Sequence, residues 1–195
     1  MSIDVKLITA VREITGAGMV DVKNALEEVG GDKDAAVELL RKKGIIKAAK
    51  KGERETKEGL VHAYVHGNNK SGALVEVWCE TDFVARNEAF QEMVHNIAMH
   101  IVAANPLYVS SEEIPTAEIE KEKVVQREIL KAEGKPEAMI EKILEGKMQK
   151  YFSEICLLNQ PYIKDDKITV GDLVKQNIAV IGENIQIKRF TRFAM

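Results

Sequence analysis

The chain has 195 residues, of which 45% are apolar and 30% are charged, and its formal net charge at pH 7 is −3. This composition is ordinary for a folded protein with a sizeable core. The small negative charge argues against a protein that binds nucleic acid or anionic lipid over its whole surface. We therefore expect a protein or a small molecule as the partner.

The two cysteines and the first segment of the chain bear on its location. Cys79 and Cys156 lie far apart without a CxxC spacing, which is typical of a protein from a reducing compartment. Residues 1–13, MSIDVKLITAVRE, carry charges within their apolar stretch, which neither a signal peptide nor a membrane-spanning helix would do. We predict a cytoplasmic protein without a membrane contact, and we interpret both cysteines as small apolar side chains.

Residues 1–50 predict three short helices, because their apolar positions recur every three or four residues. These positions are Leu7, Ile8, Val11 and Ile14 in the first helix, Val22, Ala25, Leu26 and Val29 in the second, and Ala36, Leu39 and Leu40 in the third. Asp32 is a suitable N-cap for the third helix, which we expect to end at Arg41–Gly44. The polar residues 51–58 are predicted to form a linker.

Met19 and Val20 directly follow a Gly-Ala-Gly turn at residues 16–18. Two apolar residues at this place can close the bundle as a hydrophobic staple, or they can form an exposed apolar knob on a small helical domain. The pattern favours the staple only slightly.

The period of the apolar residues then changes from 3.6 to 2. Residues 60–66 (LVHAYVH) and 73–79 (ALVEVWC) predict a β-hairpin, with residues 67–72 as its loop. Residues 184–193 alternate in the same way, and we expect them to add a third antiparallel strand. The fold class is therefore predicted as α+β, with a core formed by residues 59–195.

The stretch TDFVARN at residues 81–87 raises the main functional question. Asn87 is the predicted N-cap of a long helix, because apolar residues recur at spacings of three and four from Phe90 to Val102. Residues 81–86 would then form a separate turn, which we expect Asp82 to cap. Phe83 in this turn either fills the protein's own core or is held out for a partner, and the pattern leaves these two alternatives balanced.

Two charged helices are predicted at residues 116–133 and 137–150, and Gly134-Lys135-Pro136 joins them. Gly followed closely by Pro at such a junction is typical of a helical hairpin. A last short helix is expected to follow Thr169 as its cap.

Motifs for catalysis or metal binding are lacking in the sequence. No P-loop, no GxGxxG after a strand and no local nucleophile–base arrangement occurs. In a strand, His62 and His66 would lie ~13 Å apart, too far to chelate one ion. His95 and His100 would point in different directions from one helix. We predict a protein that is not an enzyme and holds neither a metal nor a cofactor, and ordinary surface or half-buried roles for all four histidines.

One segment is locally basic. Residues 41–57 hold eight Lys or Arg against two acids. A solvated linker is the plain interpretation, and a contact to RNA or to an acidic protein surface is the alternative. The segment has no aromatic residue, and this absence weakens the RNA alternative, because proteins usually grip single strands by base stacking.

Four segments in chain order resemble the translation elongation factor Ts family. They are TGAGMVDVKNAL at 15–26, GIIKAAKK at 44–51, TDFVARN at 81–87 and IGENIQIKRF at 181–190. The resemblance implies a three-helix domain similar to ubiquitin-associated (UBA) domains, then an antiparallel sheet packed with helices, then a helical hairpin. It also implies a guanine-nucleotide exchange factor that binds elongation factor Tu with GDP, dislodges Mg²⁺ and promotes GDP release so that GTP can bind.

The resemblance also assigns roles to residues. Thr81, Asp82, Phe83 and Val84 match the family segment that dislodges Mg²⁺ from Tu, with Phe83 as the wedge. Arg12, Met19 and Val20 match positions of the N-terminal domain that dock on the nucleotide-binding domain of Tu. Many relatives have Met where this chain has Val20, a change that keeps the apolar character.

The chain departs from longer relatives of this family, which carry two similar core subdomains, because it has only one. Short members are associated with homodimers, so the resemblance implies a dimer here. Two other functions remain as alternatives: a helical adaptor that binds another protein through residues 1–50, and an RNA-binding protein that acts through residues 41–57.

Overall fold

The computed structural model describes residues 3–195, apart from the side chains of Ile45 and Lys47. The chain forms two compact units. One unit contains the residues up to 62 together with 76–95 and 172–188, and the other contains residues 63–75, 96–171 and 189–195. The boundary predicted at residues 50 and 51 stays a prediction.

The described residues form eight α-helices and five strands. The helices are α1 (Val5–Thr15), α2 (Met19–Glu28), α3 (Lys33–Ala49), α4 (Asp82–Ala85), α5 (Glu88–Ala104), α6 (Thr116–Ala132), α7 (Glu137–Ile155) and α8 (Val170–Ile181). The strands are β1 (Glu58–Val65), β2 (Ser71–Cys79), β3 (Pro161–Tyr162), β4 (Asp165–Thr169) and β5 (Gln186–Ala194). The fold class predicted from the sequence, α+β with a three-stranded antiparallel sheet, is confirmed.

The first three helices pack around one small core. Its fully buried members are Val11, Val22, Ala25, Leu26 and Ala36. The Asp32 carboxylate accepts a hydrogen bond from the Ala35 amide at 2.9 Å, so the predicted cap of α3 is confirmed.

The prediction that α3 ends at Arg41–Gly44 is wrong, because the helix continues to Ala49. Gly44 has no Cβ, and one placed there would lie 3.3 Å from the Ala179 side chain of α8. Glycine within a helix costs only ~1 kcal/mol relative to alanine, and it ends a helix only where the backbone turns left-handed. Here Gly44 allows α3 to approach α8.

The main sheet has the strand order β1-β2-β5, so the terminal strand pairs with the hairpin as predicted. Its central strand β2 is buried on alternate residues, at Ala73, Val75, Val77 and Cys79. The α5 helix turns one apolar face inward, and Phe90 on it is 0% exposed. The predicted Asn87 cap is confirmed, because its side-chain oxygen accepts hydrogen bonds from the amides of Ala89 and Phe90 at 2.8 and 3.4 Å.

The α6 and α7 helices form the predicted hairpin, with Gly134 in the left-handed conformation (φ 73°) at the turn. Leu130, Ile140, Leu144 and Met148 form its core. The two-stranded sheet of β3 and β4, whose strands are short, is not predicted from the sequence. Thr169 closes β4, and α8 begins at the next residue. Within residues 3–195, no helix has the length and hydropathy that a bilayer crossing requires.

Candidate functional site: an exposed phenylalanine on a braced turn

Phe83 lies on the four-residue helix α4, directly after β2, and its side chain is 86% exposed. It therefore does not fill the core, the first of the two alternatives that the sequence left open. None of the α4 residues is buried. The turn presents an aromatic ring to solvent, while only Val84 and Ala85 on it are half-buried.

The cap of α4 is Thr81, so the prediction that Asp82 caps the turn is wrong. Thr81 is extended (φ −129°, ψ 155°), and its hydroxyl accepts a hydrogen bond from the Val84 amide at 3.5 Å. Asp82 is the first helical residue, and its carboxylate lies 3.1 Å from the Arg86 guanidinium instead. The extended backbone of an N-cap lets its side chain reach the second or third helical amide, and Thr81 occupies that position.

Cys79 supports the same turn from the end of β2. Its thiol donates to the Thr81 carbonyl, with sulfur and oxygen 3.1 Å apart. Burial, and secondarily the negative charge of Glu183, raises the pKa of Cys79 to about 11, so the thiol keeps its proton at neutral pH. The cysteine is a small buried side chain, as predicted, and also a hydrogen-bond donor.

Glu183 and Asn184, which the sequence did not mark as functional residues, complete the support of the turn. The Glu183 carboxylate binds Thr81, and the amide of Asn184 donates to the Glu80 carboxylate at 2.6 Å. The sequence marks these two residues only as a short polar pair that follows Gly182, after α8 has ended. That signal could not reveal the partners, which lie more than 100 residues away in the chain.

The residues predicted for docking lie on a different part of the same compact unit. Met19 and Val20, at the start of α2, are 58% and 72% exposed, so the slight preference for a hydrophobic staple is wrong. Arg12, in the last turn of α1, is also exposed. An apolar knob on the three-helix group remains as the interpretation of this pair.

A cavity of about 600 Å³ lies beside the turn between α1 and α2. Its apolar lining includes Ile14, Val37, Leu40, Ala179 and Val180. Ile14 was predicted to face inward, yet it is 57% exposed at the edge of this cavity. The three-helix group thus carries apolar surface on the side of its first turn.

The histidines do not form a metal site in the described part of the chain, where no group of three or more His, Cys, Asp or Glu could hold an ion. His62 and His95 are in hydrogen-bond contact (Nε2 to Nδ1, 3.0 Å), and burial of His62 lowers its pKa. His100 is fully buried against Gln160, which corrects the expectation of a surface or half-buried residue. Its pKa is also lowered by burial.

Comparison with known proteins places the chain in a family. The sequence model described as Elongation factor TS matches residues 33–195. Elongation factor Ts of Fervidobacterium nodosum is 54% identical over 98% of both chains, and that of Thermosipho melanesiensis is 53% identical over 99% of this chain and 98% of the relative. Elongation factor Ts of Geobacter sp. strain M21 is 52% identical over 100% of this chain and 90% of the relative.

Matches of this extent define the class of protein first: the chain is a translation elongation factor. It belongs to the elongation factor Ts family. The resemblance noted in the four sequence segments is confirmed.

Proposed function

We propose that this chain is a guanine-nucleotide exchange factor that binds elongation factor Tu carrying GDP, dislodges Mg²⁺ and promotes GDP release. The observation that supports the proposal most is the 86% exposure of Phe83 on a turn that is held at its N-terminal end. A monomeric domain gains nothing from exposing a phenyl ring, whereas burial in a partner's pocket is worth ~1.5–3 kcal/mol. Thr81, Asp82 and Val84 form the rest of this segment.

The action on Mg²⁺ follows from the chemistry of that ion. Mg²⁺ requires near-octahedral oxygen ligands at ~2.1 Å, so a small displacement of its ligands costs much of its binding. In this proposal, the ring of Phe83 acts as a wedge that disturbs the Mg²⁺ ligands without any chemical step. The chain is accordingly proposed to act by binding and not as an enzyme.

One ring cannot supply the whole effect. A ~10⁴-fold weakening of GDP binding requires ~5.5 kcal/mol of differential contact with Tu, roughly two to four times what one phenyl ring provides. Arg12, Met19 and Val20 supply further contact in this proposal, and the exposed apolar pair at the start of α2 supports it. By reciprocity, bound GDP weakens the affinity of Tu for this chain by the same factor.

The RNA alternative is weaker because acids neutralise much of the basic segment 41–57. Among the seven basic residues of this segment whose side chains the structure describes, five lie within 4 Å of a carboxylate oxygen. These pairs join Arg41 to Asp172, Lys42 to Glu38, Lys43 to Glu28, Arg54 to Glu80 and Lys57 to Glu55. Basic residues that already pair with carboxylates neutralise fewer phosphates, so fewer counterions leave the nucleic acid and the gain in affinity is small.

The homodimer implied by the short form is part of this proposal. Val65, Leu74 and Phe193 line one apolar depression of the second compact unit, and their exposures are 62%, 46% and 68%. A stable dimer would need to bury ~1,000 Å² or more, including such residues. A monomeric mass by light scattering at micromolar concentration would remove the dimer from the proposal, and Phe193→Glu should shift a dimer toward monomer.

The release of a fluorescent GDP analogue from elongation factor Tu tests the proposed exchange. Added chain should accelerate release in a saturable manner at millimolar Mg²⁺. After Mg²⁺ is removed by a chelator, the acceleration by the chain should shrink. The chelator has then already done the step that the chain would otherwise perform, the removal of the ion. A release rate that is the same with and without the chain contradicts the proposal.

A further inference from the structure

A single carboxylate holds the backbone that leads into the Phe83 turn. Oε2 of Glu183 accepts hydrogen bonds from the backbone amides of Glu80 at 3.1 Å and Thr81 at 3.0 Å. Its other oxygen, Oε1, accepts from the Thr81 hydroxyl at 2.6 Å. Hydrogen bonds to an ionised carboxylate are roughly twice as strong as neutral ones. Three of them therefore fix the position of the backbone at Glu80 and Thr81.

The Thr81 hydroxyl links Glu183 to the cap of α4. A hydroxyl has one hydrogen to donate and two lone pairs that accept. Because the hydrogen points to Glu183, a lone pair is available to the Val84 amide, the capping contact at 3.5 Å. Glu183 thus sets the orientation in which Thr81 can cap the helix that carries Phe83.

Helix α4 depends on such support from outside. Nucleating a helix is unfavourable, and a segment of four residues is far too short to be stable alone. None of its residues is fully buried, and only Val84 and Ala85 are half-buried, so packing compensates little. At its far end, the Ala85 carbonyl accepts from the Gln91 side chain at 3.3 Å. Loss of the Glu183 contacts should therefore loosen the turn while the core, to which α4 contributes little, remains folded.

The position of Glu183 is itself secured by its neighbour. Asn184 is 1% exposed, and its side chain donates to the carbonyls of Gly52 and Arg54 at 3.2 and 2.7 Å. Its backbone amide donates to Oε1 of Glu80 at 2.6 Å. Glu80 and Glu183 thus bind each other's segment reciprocally, which keeps the Glu183 carboxylate beside Thr81.

We infer that Glu183 is the positioning residue of the wedge: its carboxylate orders Thr81 and α4, so that Phe83 meets its partner already oriented. The inference rests on the proposed function. A ring on a disordered turn must be ordered during docking, and that cost reduces the productive contact. Glu183 touches neither Mg²⁺ nor nucleotide in this scheme and acts only through the turn.

The kinetic test uses Glu183→Ala and Thr81→Val in the fluorescent-GDP release assay. Each should lower the maximal release rate by about tenfold to a hundredfold, since each removes hydrogen bonds to a charged group. Glu183→Gln keeps an oxygen for the two amides and Thr81→Ser keeps the hydroxyl, so both should restore most of the rate. Glu145→Ala, which removes an exposed glutamate from α7, is the matched control.

A double variant separates positioning from a general structural role. If Glu183 acts only through the ring, Glu183→Ala should cause no further loss of rate in a Phe83→Ala background. An additional loss of the full single-variant size would show that Glu183 acts elsewhere, and it would overturn the inference.

A second readout uses the free chain and does not depend on the proposed function. In Glu183→Ala, hydrogen exchange of the Thr81 and Val84 amides, followed by NMR, should be faster than in wild type. Core amides of α5 should keep their protection. Unchanged hydrogen exchange of the Thr81 and Val84 amides overturns the inference, whatever the rate of GDP release from elongation factor Tu.

Together, hydrogen exchange and GDP release distinguish failure of the positioning role of Glu183 from failure of the proposed Phe83 wedge. Faster exchange with a wild-type release rate in Glu183→Ala, while Phe83→Ala is slow, overturns the positioning role alone. If Phe83→Ala also releases GDP at the wild-type rate, the proposed wedge fails, and with it the functional part of this inference.

Discussion

Replacement of Phe83 by alanine should separate folding from function. The ring is 86% exposed, so its removal should change the free energy of unfolding by no more than ~0.5 kcal/mol. Phe90, on the next helix, offers the opposite case because it is 0% exposed. Phe90→Ala should cost ~3–5 kcal/mol of stability.

The effect of Phe83→Ala on exchange follows from the contact that the ring would make in a partner. Full burial of a phenyl ring is worth ~1.5–3 kcal/mol, which corresponds to a roughly 10- to 150-fold slower stimulated release of GDP. The loss should appear in the maximal rate, because the wedge acts on bound Mg²⁺ after docking. The concentration for half-maximal stimulation should change less.

Urea unfolding followed by circular dichroism measures the stability of each variant, and stopped-flow fluorescence measures GDP release. Leu107→Ala is the matched control, because Leu107 is also a large apolar residue, 60% exposed, and belongs to the other compact unit. It should leave both stability and release unchanged. The reasoning is refuted if Phe83→Ala unfolds as easily as Phe90→Ala, or if it stimulates release as well as the Leu107 control.

Three further predictions concern docking, pH and thiol reactivity. Joint replacement of Met19 and Val20 by alanine removes two exposed apolar contacts. The concentration of chain that gives half-maximal GDP release should therefore rise about tenfold. An unchanged concentration in a titration would exclude both residues from the interface. His62 and His100 both have pKa values lowered by burial, so the unfolded chain takes up protons first. Stability should therefore be full above pH ~6.5 and fall as the pH drops toward the folded-state pKa values, and urea midpoints should show a smaller fall in His62→Gln. Burial raises the pKa of Cys79 to about 11, so iodoacetamide at pH 8 should alkylate this thiol far more slowly in the native protein than in the urea-denatured one. Mass spectrometry of the alkylated protein measures both rates. Equal rates would contradict a protonated, buried thiol.

Local chemistry predicted those parts of the fold that depend on neighbours in the chain. Caps such as Asp32 and Asn87 were found because an N-cap bonds to amides two or three residues away. The end of α3 was misplaced for the opposite reason. Gly44 is a helix breaker by local preference, and its approach to Ala179 of α8, 135 positions later, overrides that preference.

The candidate site shows the same division. Alternation along β2 ended at Cys79, and the helix period began after Asn87, so the sequence marked 81–86 as a separate turn. It could not decide whether Phe83 points in or out, because a turn has no period from which a face can be inferred. It also selected Asp82 as the cap in place of Thr81, since both residue types suit that position.

The sequence by itself determined the order of the main helices and of the three main-sheet strands, the class of the fold and, through four short segments, the family. These follow from periodicity and residue type, which act over one or two turns of chain. Only the tertiary structure decided that Phe83 is exposed and that Glu183 holds the turn before it, because a hydrogen bond between residues 102 positions apart leaves no mark on the local pattern of either segment.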